Sequence, residues 1–258
     1  MQSFSRSGHR IAFEVHGTGR PVVMLHGITV SFAGNFGPSG WIPRLTAAGC
    51  QVIGMDFRGH GQSDKPREVS AYGTDHLAGD VAALLDHLGI ERASLFGYSM
   101  GTMVALRLLH QLPHRIGPSV LMATGDGLMG LPPFTSAHVF PRLAEALARP
   151  EYPADLPQHV AAYWTFAVKV GGDRLASHAA AQAHYPAATH QELQTIAAPV
   201  LVVSGELDLV LGRGASLAKA IPLGEYLEVA AAGHFDLGRN ERAQAEATRF
   251  LSRAFGES

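Results

Sequence analysis

Apolar positions along the chain follow two rhythms. Short, largely apolar runs of strand length recur at Pro21 to Leu25, Gln51 to Met55, Ala93 to Phe96, Ser119 to Ala123 and Pro199 to Ser204. Runs without polar alternation are what strands buried on both faces require. A β-prone segment, Arg10 to His16, precedes them and closes on the turn signal Gly17-Thr18-Gly19, and Glu225 to Val229 supplies a late strand. Between these runs the period changes to that of a helix. From Thr74 to Leu88 the residues Leu77, Val81, Leu84, Leu85 and Leu88 share one face; Thr74 or Asp75 suits the start and Gly89 the end. Helices are also expected at Trp41 to Leu45, Thr102 to Leu109 (stopped by Pro113), Ala215 to Ala220 and Asn240 to Phe255. Strands alternating with helices predict a mostly parallel α/β sheet with right-handed crossovers.

The rhythm breaks after Ala123. From Gly125 to Ile196 no strand-like run occurs; helical stretches at Ala137 to Leu147 and Leu156 to Val170 stand among prolines and aromatic residues. The organisation expected is a core formed by residues 1–124 and 197–258, with residues 125–196 as a helical insertion.

Composition narrows the function classes. The 258 residues are 47% hydrophobic and 16% charged, with a formal net charge of −2. That describes a compact globular chain and gives no reason to expect a nucleic-acid partner or an anionic membrane surface. Cys50 is the only cysteine, which rules out an intrachain disulfide and two-cysteine metal motifs. The first residues lack the apolar core of a secretory signal, and no apolar run reaches membrane-spanning length, so a cytoplasmic protein is expected. Oligomeric state is left open.

Candidate chemistry centres on Gly97-Tyr98-Ser99-Met100-Gly101, set between an expected strand and an expected helix. Strand, Gly-x-Ser-x-Gly, helix is the context of a nucleophile elbow. The turn is so tight that the serine is pushed toward positive φ, and side chains two residues away on either side would crowd it. A serine hydroxyl needs a base, and the base needs an orienting acid. In open parallel sheets reactive groups lie just past strand ends. Downstream of Ser99, His234 follows the strand ending at Val229, and Asp208 follows the strand ending at Ser204. His234 is therefore the expected base and Asp208 the expected acid, with Glu206 and Asp126 as alternatives for the acid. Backbone N–H groups of Met100 and of Ile28, after the strand ending at Leu25, are the expected oxyanion donors. Tyr98, Phe134, Phe140 and Trp164 are expected to line an apolar substrate pocket. His26, Asp56, Arg58 and His60 read as bracing around tight glycine turns. No metal-ligand spacing or phosphate loop is present, so no metal or cofactor is expected.

With these residues in view, the sequence resembles the α/β-hydrolase superfamily, in its group of small, cap-bearing, carboxylesterase- and lactonase-like serine hydrolases. The resemblance rests on Val22–Gly27, Asp56–Ser63, Phe96–Gly101, Pro199–Asp208 and Gly233–Phe235, in the family's order. It implies an eight-stranded, mostly parallel sheet flanked by helices, with a helical cap inserted after the sixth strand. It also implies a Ser-His-Asp hydrolase that cleaves a carboxylic ester, lactone or thioester through an acyl-enzyme, with water and a small apolar acyl or ring-containing substrate as its partners. A serine at the elbow sets the chain apart from the dehalogenases and epoxide hydrolases of this fold, which carry an aspartate there. Thr102 stands where many relatives have a second glycine, carbon–carbon bond hydrolases among them. Carbon–carbon hydrolysis, cofactor-free perhydrolase or oxygenase chemistry and a small-molecule receptor remain the alternatives. The glycine-rich segment from Ile28 to Trp41 looks long for the group and is expected to form a mobile wall of the pocket.

Overall fold

A computed structural model describes residues 1–132, 136–170 and 172–254. Its eight strands are β1 (Gln2–Arg6), β2 (His9–His16), β3 (Arg20–Leu25), β4 (Cys50–Met55), β5 (Ser94–Tyr98), β6 (Ser119–Met122), β7 (Val200–Gly205) and β8 (Gly224–Val229). They form one sheet in the order β1-β2-β4-β3-β5-β6-β7-β8. The β1–β2 hairpin joins antiparallel to β4, and every other pairing is parallel. The apolar runs behave as strands buried on both sides, and their side chains alternate between two cores. Val23, Leu25, Leu95, Leu121, Val200 and Val202 face one core. Val22, Met24, Phe96, Val120, Met122, Leu201 and Val203 face the other.

Helices cover both faces. In chain order they are α1 (Phe32–Phe36), α2 (Trp41–Ala47), α3 (Thr74–His87), α4 (Met100–Gln111), α5 (Ser136–Ala148), α6 (Gln158–Lys169), α7 (Arg174–Ala181), α8 (His190–Gln194), α9 (Ala215–Ala220) and α10 (Glu241–Ala254). Helices α3, α4 and α9 pack into the first core. Helices α1, α2 and α10 supply Phe32, Phe36, Trp41, Leu45, Phe250 and Leu251 to the second. Between β6 and β7 the chain leaves the sheet and forms α5 to α8, with α5 packed on α6 and α7.

Several local expectations are corrected. Strand β1 carries one buried residue, Phe4, so its edge position left no apolar run to read. The N-cap of helix α3 is Gly73, with φ 103°, and no side chain caps it; the Thr74 N–H donates to the His184 carbonyl instead. The segment from Ile28 to Trp41 is not a bare loop. Ser31 caps α1 by accepting from the Gly34 N–H, and Phe32 and Phe36, one turn apart, anchor the helix in the core.

Candidate active site

The site lies at the carboxyl ends of β3, β5, β7 and β8. Ser99 sits between β5 and α4 with φ 52° and ψ −117°, a conformation costing on the order of 1–3 kcal/mol. The flanking glycines are sterically required. A Cβ on Gly101 would lie 2.1 Å from the Leu25 carbonyl oxygen, and one on Gly97 would lie 2.7 Å from that of Gly101. The strained turn is held by its surroundings: the Ser99 N–H donates to the Met122 carbonyl at 3.0 Å, and the Thr102 hydroxyl donates to the Ser99 carbonyl at 2.6 Å. A glycine at position 102 would have no hydroxyl to make that contact.

Three side chains meet in a relay. His234 Nε2 is 2.9 Å from Ser99 Oγ, and His234 Nδ1 is 2.8 Å from Asp208 Oδ2. All three residues are buried. The other Asp208 oxygen accepts from the N–H groups of Val210 at 2.8 Å and Leu211 at 3.0 Å. Burial opposes ionisation of this carboxyl. The facing His234 and the two amides outweigh it and hold Asp208 below the ordinary carboxylate range. The two alternative acids are engaged elsewhere: Asp126 accepts from the Leu217 N–H, and Glu206 from the Ala231 N–H. An anionic Asp208 favours the tautomer with the proton on Nδ1, which leaves the Nε2 lone pair facing the serine hydroxyl.

Of the two residues expected to supply oxyanion amides, Ile28 borders the same cavity as Ser99 and Met100 follows Ser99 directly in the chain. On the β3 side, the Gly27 N–H donates to Asn35 Oδ1 at 2.9 Å and the Thr29 N–H to His60 Nε2 at 3.1 Å. Ile28, between them, has no hydrogen-bond acceptor for its N–H among the described residues, and neither has Met100, the first residue of α4. Gly27, Ile28, Ser99 and His234 open on a cavity of about 220 Å³. Val30, Pro38, Tyr98, Tyr163, Phe166, Val170 and Phe235 make most of its wall apolar. This arrangement can take a proton from a hydroxyl, direct that hydroxyl at a carbonyl, and offer two N–H groups to the oxygen that becomes negative.

A sequence profile for the α/β hydrolase fold matches residues 20–169. BpoC of Mycobacterium tuberculosis, provisionally named a non-heme bromoperoxidase, is 32% identical over 266 aligned positions, which cover 93% of this chain and 96% of the relative. The chain belongs to the α/β-hydrolase family. Among solved structures, this α/β hydrolase resembles Est816, described as an N-acyl homoserine lactone degrading enzyme, at 27% identity and a TM-score of 0.74 over 100% of both chains. It also resembles the enol-lactonase of Burkholderia xenovorans LB400, at 25% identity and a TM-score of 0.72 over 99% of this chain and 100% of that one.

Within this α/β hydrolase the expected pocket residues separate. Tyr98 lines the cavity and donates its hydroxyl to the His234 carbonyl at 2.6 Å, which ties down the His234 backbone. Trp164 does not line it. Its indole N–H donates to the Arg149 carbonyl at 2.9 Å and its ring meets Tyr152. Helix α6 turns Tyr163 and Phe166 toward the cavity, its C-cap residue Val170 borders it too, and Trp164, one residue on from Tyr163, falls about 100° around the axis. Phe140 is also elsewhere: it stacks on Tyr185, with ring centroids 4.4 Å apart, and borders a separate groove. Phe134 lies outside the described residues. The side chains missed were Tyr163, Phe166 and Phe235, whose rings meet at 5.3 Å and 5.4 Å. The i, i+3, i+7 spacing along α6 was the signal that could have found its share of them.

Bracing below the site falls to the residues read that way. His26 Nε2 accepts from the Phe57 N–H, and its Nδ1–H donates to the Gly27 carbonyl. His60 likewise accepts from Thr29 and donates to the Arg58 carbonyl. Arg58 is buried and grips Asp80 through two contacts of 2.7 Å. Burial lowers the pKa of His26 to about 4, and burial with the neighbouring His26 lowers that of His60 to about 3. Both rings are therefore neutral in the fold, while in the unfolded chain they titrate near 6.5. Their stabilisation is complete above pH 6.5. It is lost as pH falls toward 4, where the unfolded chain binds more protons. Urea denaturation between pH 7 and pH 4 should show stability falling by roughly 1 kcal/mol per pH unit for each ring. A flat profile would contradict their buried neutral state.

Among the described residues no group of three or more His, Cys, Asp or Glu could hold a metal ion. No helix among them is long and apolar enough to cross a membrane.

Proposed function

We propose that the chain is a serine hydrolase of carboxylic esters and lactones, with thioesters as a third acyl class, working through an acyl-enzyme on Ser99. The observation that carries this reading is the contact series from Asp208 through His234 to Ser99, opening on an apolar cavity. Ser99 Oγ attacks the carbonyl as its proton passes to His234 Nε2. The N–H groups of Ile28 and Met100 receive the oxyanion. The imidazolium, steadied by Asp208, then protonates the leaving alcohol. Water enters, gives its proton to His234, attacks the acyl carbon and returns Ser99 free. The helices between β6 and β7 act as the cap, with Tyr163 and Phe166 of α6 closing the cavity against the acyl group or ring.

Lactonase relatives support ring-opening of a cyclic ester by the same steps. The name carried by the Mycobacterium tuberculosis relative favours a variant in which hydrogen peroxide replaces water on the acyl-enzyme and leaves as a peracid. Intact-mass spectrometry during turnover of p-nitrophenyl butyrate tests the common intermediate. An adduct of the butyryl mass, mapped to the peptide bearing Ser99, is expected; turnover without an adduct on that peptide under rapid quenching would overturn the mechanism. Adding peroxide and measuring peracid against carboxylic acid separates the two acceptors.

A further inference from the structure

The cavity at Ser99 adjoins a second, outer groove of about 390 Å³. Three residues border both spaces: His234, Phe235 and Arg239. Among the described residues Arg239 is the one permanently charged side chain on the cavity wall, and no carboxylate of theirs lines it. Among the described residues no acidic group lies within ion-pairing distance of Arg239, and its side chain makes no hydrogen bond. Of the two acids nearest along the chain, Glu241 borders neither space, and Asp236 borders only the outer groove and accepts from the Gly233 N–H instead.

The guanidinium is carried on a fixed backbone. The Arg239 N–H donates to the Asp236 carbonyl at 2.9 Å, and Gln244 donates to the Gly238 carbonyl at 2.9 Å and to that of Ser39 at 2.6 Å. A Cβ on Gly238 would already crowd the Tyr98 ring at 3.2 Å. The exposed Arg239 side chain thus stands on the rim shared by cavity and groove, without an anion of its own among the described residues. Behind His234 the ionised, buried Asp208 repels a negative substrate, and Arg239 is the wall residue that opposes this repulsion.

We infer that Arg239 is a specificity residue, and that the preferred substrate is an ester or lactone bearing a free carboxylate, whose apolar part fills the cavity while the carboxylate pairs with the guanidinium where cavity and groove meet. Arg presents a planar fork that matches a carboxylate in two parallel contacts. The inference rests on the esterase reading above, and its test separates the two.

The test uses matched esters. In one arm the carboxylate is in the acyl part: monophenyl adipate against phenyl hexanoate. In the other it is in the alcohol part: 4-carboxyphenyl butyrate against 4-carbamoylphenyl butyrate. The readout is the ratio of kcat/KM, charged over neutral, in wild type, Arg239→Gln and Arg239→Lys. Wild type should favour the charged ester by about fivefold or more in one arm, carried mainly by KM and shrinking as salt is raised. Arg239→Gln should bring that ratio to about one, and Arg239→Lys should retain part of it. A wild-type ratio near one in both arms, or a ratio that Arg239→Gln leaves intact, overturns the inference. Hydrolysis of the neutral esters without charge preference removes this inference alone; failure to hydrolyse any of the esters removes the esterase reading with it.

Discussion

Ser99→Ala lowers kcat on p-nitrophenyl butyrate by about four orders of magnitude or more, with the fold retained. The size follows from the division of labour at the site. Without Oγ there is no nucleophile for His234 to activate, and the acyl-enzyme cannot form. What remains is binding in the cavity and the two N–H groups, which in comparable hydrolases leave a residual rate well above that in water. A loss of about 10⁴ corresponds to about 5.5 kcal/mol of transition-state stabilisation. Stability should change little, because alanine at φ 52° carries the same backbone strain as serine and the Met122 carbonyl keeps its N–H partner. Steady-state kinetics beside a thermal melt decide the matter: near-wild-type turnover by a pure, folded Ser99→Ala protein would remove Ser99 as the nucleophile.

The parts of this site that were readable in the sequence are those fixed by local backbone chemistry or by place along the chain. Gly97 and Gly101 are legible because the turn forbids a Cβ at either. Asp208 and His234 are legible because reactive groups of parallel sheets collect just past strand ends. Whether Asp208, Glu206 or Asp126 faces the imidazole was not a local question. The loop after β7 turns the Asp208 side chain inward onto two amides, while Glu206 stays at the surface with Ala231 and Arg213.

The pocket was far less legible, for a physical reason. Aromatic residues are dense between β6 and β7, but density does not say which face a ring occupies. Tyr163 and Trp164 are adjacent, yet one borders the cavity and the other seals the back of α6 against Arg149 and Tyr152. Helices α7 and α8 escaped notice because α7 is a run of small alanines and α8 is a single capped turn. Helix α1 hid behind Gly34 and Asn35, poor helix formers, although Ser31 as cap and Phe32 with Phe36 were visible. Its place in the wall puts Asn35 against the Gly27 N–H, so the segment expected to move is tied directly to the loop carrying Ile28.

Asp208→Asn should cut kcat by about 10³ to 10⁴ while leaving the protein folded. The amide oxygen can still accept from the N–H groups of Val210 and Leu211, so the loop after β7 keeps its anchor. What remains to face His234 is then an NH₂ group in place of a carboxylate oxygen. It donates where Asp208 accepted, which favours the tautomer with its lone pair on Nδ1 and its proton on Nε2. The imidazole thereby offers Ser99 a proton when it should take one, and the imidazolium of the transition state loses its counter-charge. Asp208→Ala differs in kind. It removes the acceptor of two buried amides as well, and each unsatisfied group costs about 1–3 kcal/mol, so stability should fall along with rate. The pair of variants separates positioning from folding: a strong kcat loss in both, with destabilisation confined to the alanine form. An Asp208→Asn protein with unchanged kcat would show that the acid orienting His234 is not Asp208.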